Sequence, residues 1–285
     1  MGVEAGRSEL VYEVVEGWGA LPEGWEFTQV PGVAVDSRDR VYVFCRGEHP
    51  VIVFDRDGRL LNSWGEGFFR TPHGIYIDGE DYVWCVDSED HTVRKFTAEG
   101  ELLLTIGKVD MPGEEGEPFN RPTDVAVSPG GDVFVTDGYG NSRVHRFSPD
   151  GELLLSWGEK GVGPGQFDVP HGVWVTDDRL VYVVDRQNNR IQIFDEEGGY
   201  LDEWTGLLLP CTIYMDSKDR VYVSELRSRM SVLDREGRVL ARWGGMSSDA
   251  PGQFVAPHCA WTDSHGGLYV GESLAGKRIQ KFVPK

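Results

Sequence analysis

An internal repeat constrains the fold of this chain more than any other feature of its sequence. Each unit begins at a proline and continues through an apolar strand, a turn, and a Val-Tyr-Val-like strand that ends near an acid. A third strand ending in Phe and a Leu-rich strand ending in Trp-Gly complete the unit. Units of this length with four strands are typical of β-propeller blades. The opening prolines are Pro31, Pro72, Pro122, Pro170, Pro210 and Pro257, at intervals of 41, 50, 48, 40 and 47 residues.

The second strand is the most regular part of the repeat. The sixth unit reaches Lys285 without a fourth strand, whereas YEVVEGWG at 12–19 has the pattern of the missing one. Because closing the ring removes a free sheet edge, we expect residues 10–19 to complete blade six. The second strands read VYVFC (41–45), VWCVD (83–87), VFVTD (133–137), VYVVD (181–185), VYVSE (221–225) and LYVGE (268–272).

The repeats run through the chain without a Pro/Ser-rich or charged linker between them. The longest irregular stretch, at 111–120, is interpreted as a loop. The sequence therefore predicts an all-β, six-bladed β-propeller with four antiparallel strands in each blade, formed as a single domain by residues 1–285. Its blades are expected to start near residues 31, 72, 122, 170, 210 and 257.

Composition narrows the class of partner. The net charge of −19 argues against nucleic acid, because phosphate binding requires clustered Lys and Arg side chains. The first ten residues lack the apolar core of a signal peptide, and no apolar run reaches membrane-spanning length. The four cysteines lack the close pairing of a zinc or redox motif, and free thiols fit a reducing compartment. We expect a cytoplasmic protein with a small-molecule or peptide substrate and no membrane partner.

Three histidines, His73, His171 and His258, directly follow the opening prolines of units two, four and six. In a ring of six blades, alternate blades are a third of a turn apart, so these imidazoles are expected to converge as a metal site. Three neutral imidazoles leave a coordination position open, which is the pattern of catalytic zinc, although other divalent transition metals accept the same ligands. The alternative is that these residues only start strands and bind backbone groups.

The loops after the second strands are expected at the same end of the blades as these histidines. The acids that end the second strands recur, which favours a structural role in holding loop amides. Arg46 and Tyr139 do not recur, so they are better candidates for chemistry. An arginine can bind a carboxylate in bidentate geometry, and a phenol near cations can act as a base. The alternative is a surface arginine and a packed tyrosine. The recurring acids are Asp87, Asp137, Asp185, Glu225 and Glu272.

Several motifs resemble known families. PGQF (164–167 and 251–254), DRQNNRIQIF (185–194) and the Trp-Gly strand ends resemble NHL repeats along essentially the whole chain. A second group of motifs resembles the catalytic core of peptidyl-α-hydroxyglycine α-amidating lyases, again over nearly all 285 residues. These motifs are FCRGEH (44–49), PHGIYID (72–78), PTDVAV (122–127), VFVTDGYGNSRV (133–144), RFSPDGE (146–152) and VPHGVWV (169–175).

The resemblance implies both an activity and a site. The lyase family uses a six-bladed propeller that holds zinc through three histidines, here matched by His73, His171 and His258. Its substrate-side arginine matches Arg46, its catalytic tyrosine matches Tyr139, and a second arginine of its pocket matches Arg186. The implied reaction cleaves the C–N bond of an N-acyl- or peptidyl-α-hydroxyglycine to give an amide and glyoxylate.

The chain departs from the lyase family at two places. The family has a calcium-binding aspartate directly after the last zinc ligand, where this chain has Cys259, so no calcium is expected. Secreted members carry a disulfide whose two positions are Asn120 and Gly140 here. A cytosolic relative of the secreted enzymes is therefore implied, and its substrate is not restricted to hormone precursors.

Two other functions fit a propeller of this kind. A lactonase-like, metal-dependent hydrolase would activate water, but such sites favour calcium with acidic and amide oxygen ligands. A non-catalytic NHL interaction module would bind a protein on one face, because fold alone does not determine function. The three histidines favour the lyase over the hydrolase, and a protein that binds no metal would favour the interaction module.

Overall fold

The computed structural model describes residues 10–113 and 117–285. Over these residues the chain forms six separate four-stranded sheets, in each of which neighbouring strands are antiparallel. The protein is an all-β, six-bladed β-propeller with four strands per blade, as the repeat predicts. No helix in the described ranges is long and apolar enough to cross a bilayer.

The contacts group the chain into two units, and the first of them, Gly67–Thr212, contains blades two to four. Blade two consists of β6 (Pro72–Ile77), β7 (Val83–Asp87), β8 (Thr92–Phe96) and β9 (Leu102–Gly107). Blade three consists of β10 (Asp124–Val127), β11 (Val133–Asp137), β12 (Arg143–Phe147) and β13 (Leu153–Trp157). Blade four consists of β14 (Pro170–Val175), β15 (Val181–Asp185), β16 (Arg190–Phe194) and β17 (Tyr200–Trp204).

The second unit contains the residues up to Glu66 together with Ile213–Lys285. Blade one consists of β2 (Gly32–Val35), β3 (Val41–Phe44), β4 (Val51–Phe54) and β5 (Leu60–Trp64). Blade five, which begins just before the unit boundary, consists of β18 (Pro210–Met215), β19 (Val221–Glu225), β20 (Arg229–Leu233) and β21 (Val239–Gly244). Blade six consists of β22 (Pro257–Thr262), β23 (Leu268–Glu272), β24 (Arg278–Pro284) and β1 (Tyr12–Val15).

Burial decreases from the second strand of a blade to the fourth. Every residue of β11 and β15 is buried, whereas β9 and β13 expose their first two leucines. A strand that is buried on both faces favours apolar β-branched and aromatic residues at every position. This burial explains the Val-Tyr-Val pattern of the second strands. In the 67–212 unit, Phe119 and Phe147 pack between blades two and three, and Phe134, Phe167 and Phe194 between blades three and four.

The N-terminal strand completes the last blade, as the sequence predicts. β1 pairs antiparallel with β24, with Tyr12 opposite Pro284 and Val15 opposite Lys281. Tyr12 is buried, its hydroxyl lies 2.9 Å from the Tyr222 hydroxyl, and its ring stacks on Trp243 at 5.7 Å. This strand therefore contributes packing as well as backbone hydrogen bonds to blade six.

We predict that Tyr12→Ala lowers the free energy of unfolding by about 3–5 kcal/mol, because it removes a buried aromatic ring and leaves a cavity. Glu13→Ala is the matched control in the same strand, since Glu13 is exposed, and it should change stability by no more than about 0.5 kcal/mol. Chemical denaturation followed by tryptophan fluorescence measures both. Equal midpoints for Tyr12→Ala and the native protein would show that the N-terminal strand does not stabilise the fold.

Candidate functional site

His73 and His171 occupy equivalent positions at the start of the innermost strands of blades two and four. Each follows the opening proline at a point where the pairing with the second strand shifts register. Both side chains are fully buried, and their ring centroids lie 4.8 Å apart. The repeat therefore places two imidazoles side by side within the 67–212 unit.

A backbone carbonyl of the following blade orients each imidazole. Nδ1 of His73 lies 2.5 Å from the carbonyl oxygen of Thr123, and Nδ1 of His171 lies 2.9 Å from that of Cys211. A carbonyl oxygen only accepts, so Nδ1 of each ring carries the proton and Nε2 carries the lone pair. The interpretation that these histidines bind backbone groups is thus correct for Nδ1, while Nε2 remains the atom suited to a metal.

Glycine after each histidine allows this close approach. A Cβ atom on Gly74 would lie 2.9 Å from the carbonyl oxygen of Thr123, and one on Gly172 would lie 2.7 Å from that of Cys211. These are the same carbonyl groups that accept from the two imidazoles. A larger residue would push the neighbouring blade away, so the Pro-His-Gly sequence is needed for the orientation of both rings.

The Tyr139 hydroxyl lies where the two Nε2 atoms meet. It is 2.9 Å from Nε2 of His73 and 3.0 Å from Nε2 of His171, and it accepts from Nη1 of Arg186 at 3.4 Å. The Arg186 guanidinium carbon is 5.3 Å from the centroid of the Tyr139 ring, within the range of a cation–π contact. Nε of Arg186 is buried and, among the described residues, donates to no acceptor. The structure thus brings together four of the six predicted site residues.

The other two predicted residues, His258 and Arg46, belong to the second unit. His258 is buried, and its Nδ1 lies 2.8 Å from the carbonyl oxygen of Pro31, so its Nε2 also carries the lone pair. Arg46 donates from Nη1 to the side-chain oxygen of Gln29 at 2.9 Å. His258 therefore repeats the orientation found at His73 and His171.

Two charged residues near the site were missed by the sequence analysis. The guanidinium carbon of Arg121 lies 5.6 Å from the centroid of the Tyr139 ring, and Arg121 also forms an ion pair with Glu89 at 2.5 Å. Asp124 is buried and accepts from the backbone N–H of Val173 at 3.2 Å. The other blades have uncharged residues at these two positions. This departure from the repeat was the sequence signal that could have identified both residues.

Burial strongly perturbs the pKa of the Asp124 carboxyl. Removal from water raises the pKa of its carboxyl to about 7, while hydrogen bonds from the backbone amides of Val173 and Val125 act in the opposite direction. Its carboxyl oxygen also contacts the position where a Cβ of Gly74 would lie. An ionisable carboxyl therefore lies against Gly74, the residue that follows His73 in the innermost strand of blade two.

The acids at the ends of the second strands hold loop backbone, as predicted. Asp87 accepts from the amides of Arg70 and Thr71, and Asp185 accepts from the amide of Asp168 at 2.8 Å. All four cysteines are buried, and none of them forms a disulfide. At the two positions where the secreted lyases have a disulfide, the Gly140 amide instead donates to the carbonyl oxygen of Asn120 at 2.9 Å.

Comparison with known proteins places this fold and site in context. The NHL repeat profile matches residues 119–147 and 167–194. Human "NHL repeat-containing protein 3" is 32% identical, over 97% of this chain and 85% of that protein. "Peptidyl-alpha-hydroxyglycine alpha-amidating lyase 1" of Drosophila melanogaster is 38% identical over 50% of this chain, and the match spans only 28% of the fly protein. A gluconolactonase structure from Xanthomonas campestris superposes with a TM-score of 0.71 over 97% of this chain and 90% of its own, at 15% identity, which shows a shared fold.

We predict that protein purified without added metal contains about one divalent transition metal ion per chain, as three imidazole ligands favour. Changing His73, His171 and His258 together to alanine should remove it, because the lone pairs at Nε2 are lost. His265→Ala is the control, since the side chain of His265 is 66% exposed in a loop. Elemental analysis by mass spectrometry measures all three proteins. An equal metal content in the triple variant and the native protein would contradict the three-histidine site.

We predict that Asp124→Asn becomes progressively more stable relative to the native protein as pH rises from about 4 to 7. The folded state keeps this proton up to a pKa of about 7, whereas an unfolded aspartate loses it near pH 4. Between these values the folded state binds more protons, so the native protein loses stability as pH rises, on the order of 4 kcal/mol. Urea titrations at several pH values measure the difference. Exposed Asp150→Asn is the control, and parallel pH profiles for both variants would exclude the effect.

Proposed function

Because this chain belongs to the NHL-repeat family, we propose that it is a metal-dependent lyase acting on an N-acyl- or peptidyl-α-hydroxyglycine. The products would be an amide and glyoxylate. The observation that carries the proposal is the Tyr139 hydroxyl, which lies within 3.0 Å of two imidazole Nε2 atoms and beside the Arg186 guanidinium. Relatives named amidating lyases, at up to 38% identity over part of the chain, support the same reaction class.

The donor set fits a resident divalent metal. Each of His73, His171 and His258 uses Nδ1 on a backbone carbonyl, so three neutral Nε2 atoms are available as ligands. We propose zinc as the metal, held by these three atoms, because imidazole ligands with an open position suit catalytic zinc. When bound, the metal supplies Lewis acidity that makes the substrate hydroxyl easier to deprotonate.

The two arginines would bind and orient the substrate carboxylate. Arg186 presents a guanidinium beside Tyr139, and its buried Nε has no acceptor within the described ranges, as expected of a donor that awaits an anionic ligand. Arg46, whose guanidinium is held by Gln29, is proposed as the second carboxylate-binding group. Planar bidentate recognition of a carboxylate is the interaction that guanidinium groups make best.

The phenolate form of Tyr139 would accept the proton of the substrate hydroxyl. As that oxygen forms the C=O bond of glyoxylate, the C–N bond breaks and its electron pair passes to nitrogen. The proton taken by Tyr139 is returned to this nitrogen, which leaves as a neutral amide, so no water or redox partner is consumed. The reaction therefore needs one group that both accepts and donates a proton near the bound carboxylate, and we propose Tyr139, which lies beside Arg186, for this role.

A second candidate function is a non-catalytic interaction module. The relative that matches almost the whole chain is named for its repeats alone, with no activity in its name. The two functions differ in one simple observable, because only the lyase releases glyoxylate. Metal-replete protein that releases no glyoxylate from α-hydroxyhippurate would contradict the lyase and favour the interaction module.

We predict that Tyr139→Phe lowers kcat for glyoxylate release from α-hydroxyhippurate by roughly 10²–10⁴-fold, since the proton acceptor is lost. Metal content should stay unchanged, because the three histidines are intact. Tyr200→Phe, in the exposed part of β17, is the matched control and should keep full activity. A coupled glyoxylate assay and elemental analysis test the two expectations. An unchanged kcat in Tyr139→Phe would contradict the role of Tyr139 as the proton acceptor.

A further inference from the structure

Blade three differs from its neighbours in how the acid that ends its second strand is neutralised. In blades four, five and six an arginine directly opposite this acid donates its Nε to the carboxylate. The pairs are Arg190 to Asp185 at 2.8 Å, Arg229 to Glu225 at 2.8 Å, and Arg278 to Glu272 at 2.5 Å. A buried carboxylate bound to guanidinium keeps a permanent counter-charge.

In blade three the arginine at the same register, Arg143, does not bind the acid. Its hydrogen bond within the described ranges goes to the carbonyl oxygen of Ser156 at 3.5 Å, and it forms no ion pair there with Asp137. The carboxylate of Asp137 is fully buried and accepts instead from the Asn120 amide, from the Asn141 side chain at 2.7 Å, and from His145. Within the described ranges, the donors to the Asp137 carboxylate therefore include an imidazole and no guanidinium.

His145 is held from both sides. Its Nε2 lies 3.3 Å from Oδ2 of Asp137, and its Nδ1 lies 2.5 Å from the hydroxyl of Ser156. The ring is fully buried and packs at 5.7 Å against Phe119. The Ser156 hydroxyl can donate to Nδ1, so the proton of the neutral ring lies on Nε2 and is donated to the Asp137 carboxylate. These two hydrogen bonds hold the imidazole and the carboxylate in a fixed relative position.

The carboxylate of Asp137 controls the backbone on which Tyr139 lies. Asp137 and Asn141 are each two residues from Tyr139, and the same carboxylate binds the amide of Asn120 at 3.0 Å. The segment around Asn120 then holds the tyrosine loop, because Gly140 donates to its carbonyl oxygen at 2.9 Å and Tyr139 donates to that of Arg121 at 3.3 Å. A shift of this carboxylate would move both segments.

We infer that His145 is a positioning residue for the reaction: by fixing the Asp137 carboxylate, it holds the Tyr139 hydroxyl at the Nε2 atoms of His73 and His171. This inference rests on the proposed function of Tyr139 as the proton acceptor. His145 touches none of the reacting groups, and its effect is exerted entirely through the 137–143 loop. Misplacing a reacting group by about 1 Å costs up to about a hundredfold in rate, so this distant residue affects turnover.

The chain itself supplies the conservative replacement. Gln192 in blade four and Gln280 in blade six occupy the position of His145, and each donates Nε2 to the strand-end acid at 3.2 Å. His145→Gln should therefore keep the hydrogen bond to Asp137, whereas His145→Val removes it and leaves a buried carboxylate short of a donor. Ser231→Ala removes the equivalent bond, to Glu225, in blade five, which carries none of the six proposed site residues, so it controls for loss of stability alone.

The experiment combines kinetics with ¹⁹F NMR of protein labelled with 3-fluorotyrosine, in which the Tyr139 resonance is assigned by its absence in Tyr139→Phe. His145→Val should shift the Tyr139 resonance and lower kcat about tenfold to a hundredfold, with KM changed less than about twofold. His145→Gln should restore both, and Ser231→Ala should change neither. If His145→Val does not fold, Ser156→Ala, which frees only Nδ1 of the ring, should produce the same pattern more weakly.

The outcomes separate this inference from the proposed function. A shifted Tyr139 resonance with unchanged turnover would contradict the role of Tyr139 as base while confirming that His145 positions it. An unmoved resonance in His145→Val would overturn the positioning role, whatever the kinetics show. Equal effects of His145→Val and Ser231→Ala would also overturn it, because the loss would then follow from general destabilisation.

Discussion

Buried carboxylates at the ends of the second strands hold the loops of this propeller in place. Asp87, Asp137, Asp185 and Glu272 each accept hydrogen bonds from the backbone amides of the segment that leads into the opening proline of the same blade. The innermost strand follows this segment directly. In three blades the second residue of that strand is a histidine. A hydrogen bond from a backbone amide to a charged acceptor is stronger than one to a neutral acceptor, so the start of the innermost strand is held firmly in place.

The geometry of the histidines depends on this framework. Once the strand start is fixed, Nδ1 of each ring reaches a carbonyl oxygen of the adjacent blade, at Thr123, Cys211 or Pro31. Each of these bonds selects one tautomer and leaves Nε2 as the available atom. The Nε2 atoms are thus oriented by backbone groups, which would lower the free-energy cost of assembling the proposed metal site.

Residues that recur from blade to blade and residues that break the repeat have different functions. The recurring apolar strands, prolines and acids are explained by packing and by backbone hydrogen bonds. Tyr139, Arg121, Asp124 and His145 each break the pattern, and all four lie in or beside blade three. The repeat supplies a uniform scaffold, and one blade has been modified to carry the groups that distinguish this site.

The sequence by itself determined the strand pattern, the closing N-terminal strand and the equivalent positions of the three histidines. These follow from periodic burial and from spacing, which are local properties of the chain. The roles expected of Arg46, Tyr139 and Arg186 came from resemblance to the lyases. Only the tertiary structure decided that the Tyr139 hydroxyl lies between two Nε2 atoms, that burial raises the pKa of Asp124, and that Asp137 binds His145 and not the arginine opposite it. Such contacts join residues up to 66 positions apart and depend on which side chains are removed from water, and neither is encoded in a local pattern.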